Sequence, residues 1–81
     1  MAELPFKYHY YYRRIARRKH YRVKIEWVIQ ALEERTHRQV QNDGRIRYWS
    51  YIEEANKWLR LVLLEDDETV YNAFFDKGFN P

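Results

Sequence analysis

The chain has 81 residues, 46% hydrophobic and 19% aromatic, with two glycines, two prolines and no cysteine. That is one domain's worth of globular chain, residues 1–81, and it excludes both disulfides and zinc–thiolate sites. The net charge of +3 hides an asymmetry: residues 1–24 hold eight bases against one acid, Glu3, for +7, and the rest holds seven bases against eleven acids, for −4.

A polyanion or an acidic protein is therefore drawn to the first third of the chain. The opening Met1-Ala2-Glu3-Leu4-Pro5 has no apolar core ahead of a small-residue cleavage site. The longest aliphatic run, Leu61-Val62-Leu63-Leu64, is far too short to span a membrane. The expectation is a cytoplasmic protein without a membrane span.

Lys7 to about Lys19 reads as a first helix. Tyr11 and Ile15, joined by Tyr8 and Tyr12, are its candidate buried stripe. The run Tyr10-Tyr11-Tyr12 pulls the other way, because Tyr favours strands. The second helix, Val23 to Arg35, is plainer. Ile25, Val28, Ile29 and Leu32 follow the i, i+3, i+4, i+7 spacing of one buried face, and Glu26, Gln30, Glu33 and Glu34 fill much of the rest.

After Thr36 the period changes to two. Arg38 to Asn42 is a first strand, and Asp43-Gly44 signals a type I′ hairpin turn. Arg45 to Ile52 is a second strand, with Ile46, Tyr48, Ser50 and Ile52 on one face and Arg47, Trp49 and Tyr51 on the other. Glu53 to Asn56 turns the chain. Trp58 to Leu64 is a third strand, apolar on both faces except at Arg60, as suits a central position. The acidic turn Glu65-Asp66-Asp67-Glu68 leads to a fourth strand, Thr69 to Phe75. The implied fold is α+β: two N-terminal helices packed on a four-stranded antiparallel β-meander.

Two groups of residues point to chemistry. His9, Arg13 and Arg17 recur at i, i+4, i+8, which lines an imidazole and two guanidiniums along one helix stripe. Guanidiniums hold phosphate and imidazole moves protons, the tools for metal-free RNA cleavage. The bland alternative is a solvated basic face with a histidine that merely packs. Arg14, Arg18, Lys19, His20 and Arg22 extend this surface as nucleic-acid contacts or, alternatively, pair with the acids of residues 65–68.

The second group lies on the strands. If Leu64 pairs with Thr69, then Val62 faces Tyr71 and Arg60 faces Ala73, which brings Arg60 and Tyr71 close. They then form either a phosphate- or base-binding pair or a structural Arg–Glu pair, with Glu53 as the acid, beside a half-buried tyrosine. Arg45 and Arg47 interleave with Tyr48, Trp49 and Tyr51, a mixture that suits single-stranded nucleic acid when the rings are exposed. Trp27 and Trp58, and with them Trp49, also suit a small core. The chain has no phosphate-binding glycine loop, metal-ligand spacing or nucleophile elbow, so neither metal nor cofactor is expected.

Several segments together resemble a bacterial family of unknown function allied to the BrnT and RelE/ParE-like toxins. They are His9-x3-Arg13-x3-Arg17, Val28 to Leu32, Gly44-Arg45-Ile46-Arg47-Tyr48-Trp49, Leu59-Arg60-Leu61-Val62 and Thr69 to Asp76. The resemblance implies a two-helix, curved-sheet fold encoded beside an acidic antitoxin, with metal-independent cleavage of RNA as the activity. His9, Arg13 and Arg17 match the family's polar helix residues, and Arg60 and Tyr71 match recurrent strand positions. These are the candidates for that activity, of which different members use different ones. Two further readings stay open: a non-catalytic nucleic-acid binder, and a protein-interaction module whose basic face an acidic partner covers.

Overall fold

The computed structural model describes residues 4–81; Met1 to Glu3, including the acid of the opening segment, lie outside the described residues. Two helices precede four strands: α1 Tyr10–Ala16, α2 Ile25–Glu34, β1 Gln39–Val40, β2 Ile46–Ile52, β3 Lys57–Leu63 and β4 Val70–Phe75. The strands form one antiparallel sheet in the order β1-β2-β3-β4. The fold is the α+β arrangement read from the sequence. Among the described residues no helix is long and apolar enough to cross a membrane.

The first helix is shorter than the Lys7–Lys19 expectation. Lys7 to His9 runs extended beside β4 instead, with a parallel bridge between Tyr8 and Val70. Val70 N–H donates to the Lys7 carbonyl at 2.9 Å, and His9 N–H donates to the Val70 carbonyl at 2.8 Å. His9 then caps α1 by accepting the Tyr11 N–H on its own Nδ1 at 3.0 Å. Tyr12 and Ile15 are buried, while Tyr8 and Tyr11 are half-buried.

The second helix carries Glu26 in its first turn, favourable to the helix dipole. It ends where Arg35 turns left-handed, at φ 46°, and its N–H returns to the Ala31 carbonyl at 2.9 Å. Its buried face differs from the expected stripe. Val28 and Ala31 are fully buried, and Trp27 and Leu32 pack beside them. Ile25, by contrast, is exposed and Ile29 only half-buried. The helix rotates so that its smallest side chain, Ala31, faces the sheet, which permits close approach.

The expected type I′ turn is not formed. Gly44 N–H donates to the Gln41 carbonyl at 3.0 Å, and Gln41 N–H to the Arg45 carbonyl at 2.7 Å. Of the turn residues only Gly44 has positive φ, at 90°. This is a three-residue loop with a left-handed glycine at its end, which lets Asn42 and Asp43 keep ordinary backbone angles.

β2 alternates as expected, with Ile46, Tyr48, Ser50 and Ile52 buried. With Leu59, Leu61, Leu63, Val70 and Ala73 they form the inner face under the helices. The β3–β4 register is corrected by a bulge. Leu63 pairs with Val70, but Val62 pairs with Asn72, Leu61 with Ala73 and Arg60 with Phe74, so Tyr71 is the extra residue. Val70 and Ala73 are both fully buried. A regular strand cannot aim residues three apart at one face, so one residue must be extra between them.

Two core substitutions separate the contributions. Leu61→Ala is expected to lower stability by about 2–5 kcal/mol through lost transfer energy and a cavity. The Tyr12 hydroxyl is buried without a hydrogen-bond partner among the described residues. Tyr12→Phe is therefore expected to leave stability unchanged or raise it by up to about 1 kcal/mol. Urea unfolding midpoints of the two variants check both outcomes.

Candidate nucleic-acid interface

The cations of the first third stand outward because the apolar residues between them are held inward. In α1, Tyr12 and Ile15 fix the buried side, which leaves Arg13, Arg14, Arg17 and Arg18 exposed. In the extended loop that follows, Val23 is buried and the Tyr21 hydroxyl donates to the Ala73 carbonyl at 2.7 Å. Burial pushes the Tyr21 phenol far above its ordinary pKa, so it remains a donor. Residues 19–24 line a shallow cleft, with Lys19, His20, Arg22 and Lys24 exposed.

Most of these cations have no acid of their own. Arg13, Arg18, Lys19, His20 and Arg22 make no side-chain hydrogen bond or ion pair among the described residues. Arg14 lies 5.8 Å from the Tyr10 ring, and Lys24 pairs with Glu54 at 3.2 Å. The acidic turn is used elsewhere: Glu68 pairs with Lys7 and Asp67 with Arg35, both at 3.2 Å. Asp66 accepts the Thr69 hydroxyl and the Thr69 and Glu68 N–H groups, which hold its carboxyl down at about 2.

A second grouping forms where α1 begins. The bulge turns Tyr71 so that its ring stacks on Tyr11, with centroids 4.9 Å apart, and meets His9 at 5.1 Å. The Arg45 guanidinium covers the same ring at 4.0 Å and also reaches Asp43 at 3.4 Å. Because His9 Nδ1 accepts the Tyr11 N–H, a neutral ring carries its proton on Nε2. In this state His9 is a hydrogen-bond donor. To accept a proton it must release the helix cap.

Arg60 is not part of that grouping. Its Nε and Nη2 both donate to Asp76 Oδ2, at 3.0 and 2.6 Å, and Trp49 Nε1 donates to the same oxygen at 2.9 Å. The guanidinium lies between the Trp49 and Phe74 rings, at 5.4 and 4.9 Å. The expected proximity of Arg60 and Tyr71 is thus replaced by two separate clusters. The structural-pair alternative is realised with Asp76 in place of Glu53. Arg47 donates to the Gln39 side chain at 3.2 Å.

On the sheet face away from the helices, Trp49 is buried and Trp58 half-buried. Trp27 is half-buried on the inner side, against Phe75. Sequence reasoning missed Asp76, Tyr11 and Phe79. Asp76 lies just past a strand whose register sets Phe75 opposite Leu59, next to Arg60, and that register follows from the bulge rather than from any local sequence signal. Among the described residues no three His, Asp or Glu side chains converge as a metal site.

The hydrogen bond from Trp49 and the neighbouring Arg60 hold the Asp76 carboxyl below the ordinary carboxylate range. A depressed carboxyl stabilises the fold above the unfolded chain's pKa, and that contribution is lost as acid protonates it. Wild type is therefore expected to lose stability below about pH 4 more steeply than Asp76→Asn, checked by urea unfolding at successive pH values. At neutral pH, Arg60→Ala is expected to cost about 1–3 kcal/mol. No protein-family model, no curated protein and no solved structure matches this chain.

Proposed function

We propose that this domain binds RNA, engaging the phosphate backbone with the exposed cations of α1 and the loop after it, in the manner of the BrnT- and RelE/ParE-like toxins it resembles. The observation that carries this reading is the set of exposed side chains Arg13, Arg18, Lys19 and Arg22, with His20 beside them, which have no acid partner among the described residues. Elsewhere Arg35 pairs with Asp67, Arg45 with Asp43 and Arg60 with Asp76, while Arg38 and Arg47 donate to the Tyr48 hydroxyl and the Gln39 side chain. Exposed cations gathered on one side of the fold attract an external anion. An acidic antitoxin fits the same ridge by the same charge.

Metal-independent RNA cleavage is the more specific reading. It is favoured by one grouping, the His9 imidazole and Arg45 guanidinium that both contact the Tyr71 ring. In it Arg45 and the α1 arginines neutralise the scissile phosphate. With the cap released and both ring nitrogens protonated, His9 donates from Nε2 to the leaving oxygen and returns to the neutral ring, the proton of the attacking hydroxyl passes to water, and Tyr71 orients the backbone.

Binding to a labelled single-stranded RNA tests the first reading. Affinity is expected to fall steeply with salt, and Arg13→Ala combined with Arg18→Ala is expected to weaken it roughly tenfold and to flatten the log–log salt slope by about 1.4. Affinity indifferent to salt overturns the ridge as the contact. Incubation with RNA under chelator tests the second: His9→Ala and Arg45→Ala are each expected to slow cleavage at least about tenfold. Identical background cleavage by wild type and both variants ends the catalytic reading and leaves the binding one.

A further inference from the structure

The segment after β4 does not leave the sheet. Asp76 N–H donates to the Trp58 carbonyl at 2.9 Å, and Gly78 N–H turns back to Asp76 Oδ1 at 3.0 Å. This turn lays Phe79 flat on Trp49, with ring centroids 4.6 Å apart and planes 9° from parallel. Trp58 meets the Phe79 ring edge-on at 5.0 Å, and His37 does so at 5.4 Å. Trp58 and His37 meet each other at 5.4 Å, so a stacking floor and one upright wall of two rings make a slot that the Phe79 ring fills. The Arg60 guanidinium stands 5.4 Å from the floor ring.

The rings differ in how firmly they are held. Trp49 and Trp58 sit on paired strands, in β2 and β3. Phe79 follows a glycine, remains half-exposed, and its N–H reaches the Asp76 carbonyl only at 3.4 Å. It is the member of the cluster that can exchange at least cost.

We infer that this slot is a base-stacking subsite for single-stranded nucleic acid, and that Phe79 fills it in the free protein until a nucleobase takes its place. The inference rests on the RNA-binding reading and adds to it a contact with the base, where the α1 ridge supplies contacts with phosphate. Any base has a ring face to offer the Trp49 floor, so the slot grips without strong sequence preference. An internal ring that competes for the slot lowers apparent affinity by the fraction of time the slot is closed.

Tryptophan quenching by short oligoadenylate, with inorganic polyphosphate as the base-free probe, tests this. Phe79→Ala is expected to bind oligoadenylate about tenfold more tightly than wild type, and polyphosphate equally well. Phe79→Leu, which keeps apolar cover but cannot stack as a plane, is expected to fall between them and serves if the alanine variant does not fold. Equal or weaker oligoadenylate binding by both variants overturns the slot, whatever polyphosphate does. If polyphosphate binds none of the proteins, the ridge reading fails by itself. The slot then stands only if adenosine quenches Phe79→Ala at lower concentration than wild type, and is overturned if it does not.

Discussion

Two backbone hydrogen bonds at Val70 decide where the first third of the chain lies. A strand can pair along both edges, and β4 gives one edge to β3 and, at Val70, the other to Lys7 and His9. Each bond contributes only about 1 kcal/mol net, yet their positional effect is large. A helix of seven residues is too short to persist alone, so α1 exists because its start is tethered and its Tyr12–Ile15 side is buried. The tether also sets His9 and Tyr11 over Tyr71, the residue the bulge pushes out of register. Backbone pairing and side-chain grouping thus share one origin.

The sheet divides the work between its faces. The inner face is aliphatic and carries the helices. The outer face carries rings and guanidiniums in contact, with Arg60 between Trp49 and Phe74 and Arg45 over Tyr71. Cations placed against rings lose water, and Asp76 restores the balance for Arg60 with the most heavily used carboxylate oxygen of the fold. This separates two kinds of arginine. Those on the sheet are structural partners, while Arg13 and Arg18 stand exposed and make no ion pair among the described residues.

The parts of the fold that follow from hydrophobic period were legible in the sequence. β2 reads true residue by residue because strict alternation leaves one solution for Ile46 through Ile52. α2 was recognisable as a helix, but its orientation was not. A bulk-weighted stripe favours Ile25 and Ile29, whereas packing geometry favours the small Ala31. The N-terminal helix starts later than its local pattern implies because the pairing of Lys7 to His9 with Val70 joins residues more than sixty positions apart, which no local pattern records. The same holds for the site. Exposure of the α1 cations follows from charge alone, but the separation of Arg60 from Tyr71 follows from a bulge. That bulge was hinted at only by two inward residues, Val70 and Ala73, three positions apart.

An open β-sheet is a hazard in proportion to the length of unsatisfied backbone at its margins. Here one margin is β1, only two residues long, with Val40 largely exposed. The other is occupied at Val70 by the incoming chain and broken beside it by Tyr71. Neither margin offers the straight run of free N–H and C=O groups that templates another molecule's strand. A chain so rich in tyrosine and tryptophan therefore carries, in its own topology, a barrier to fibril growth that its composition does not provide.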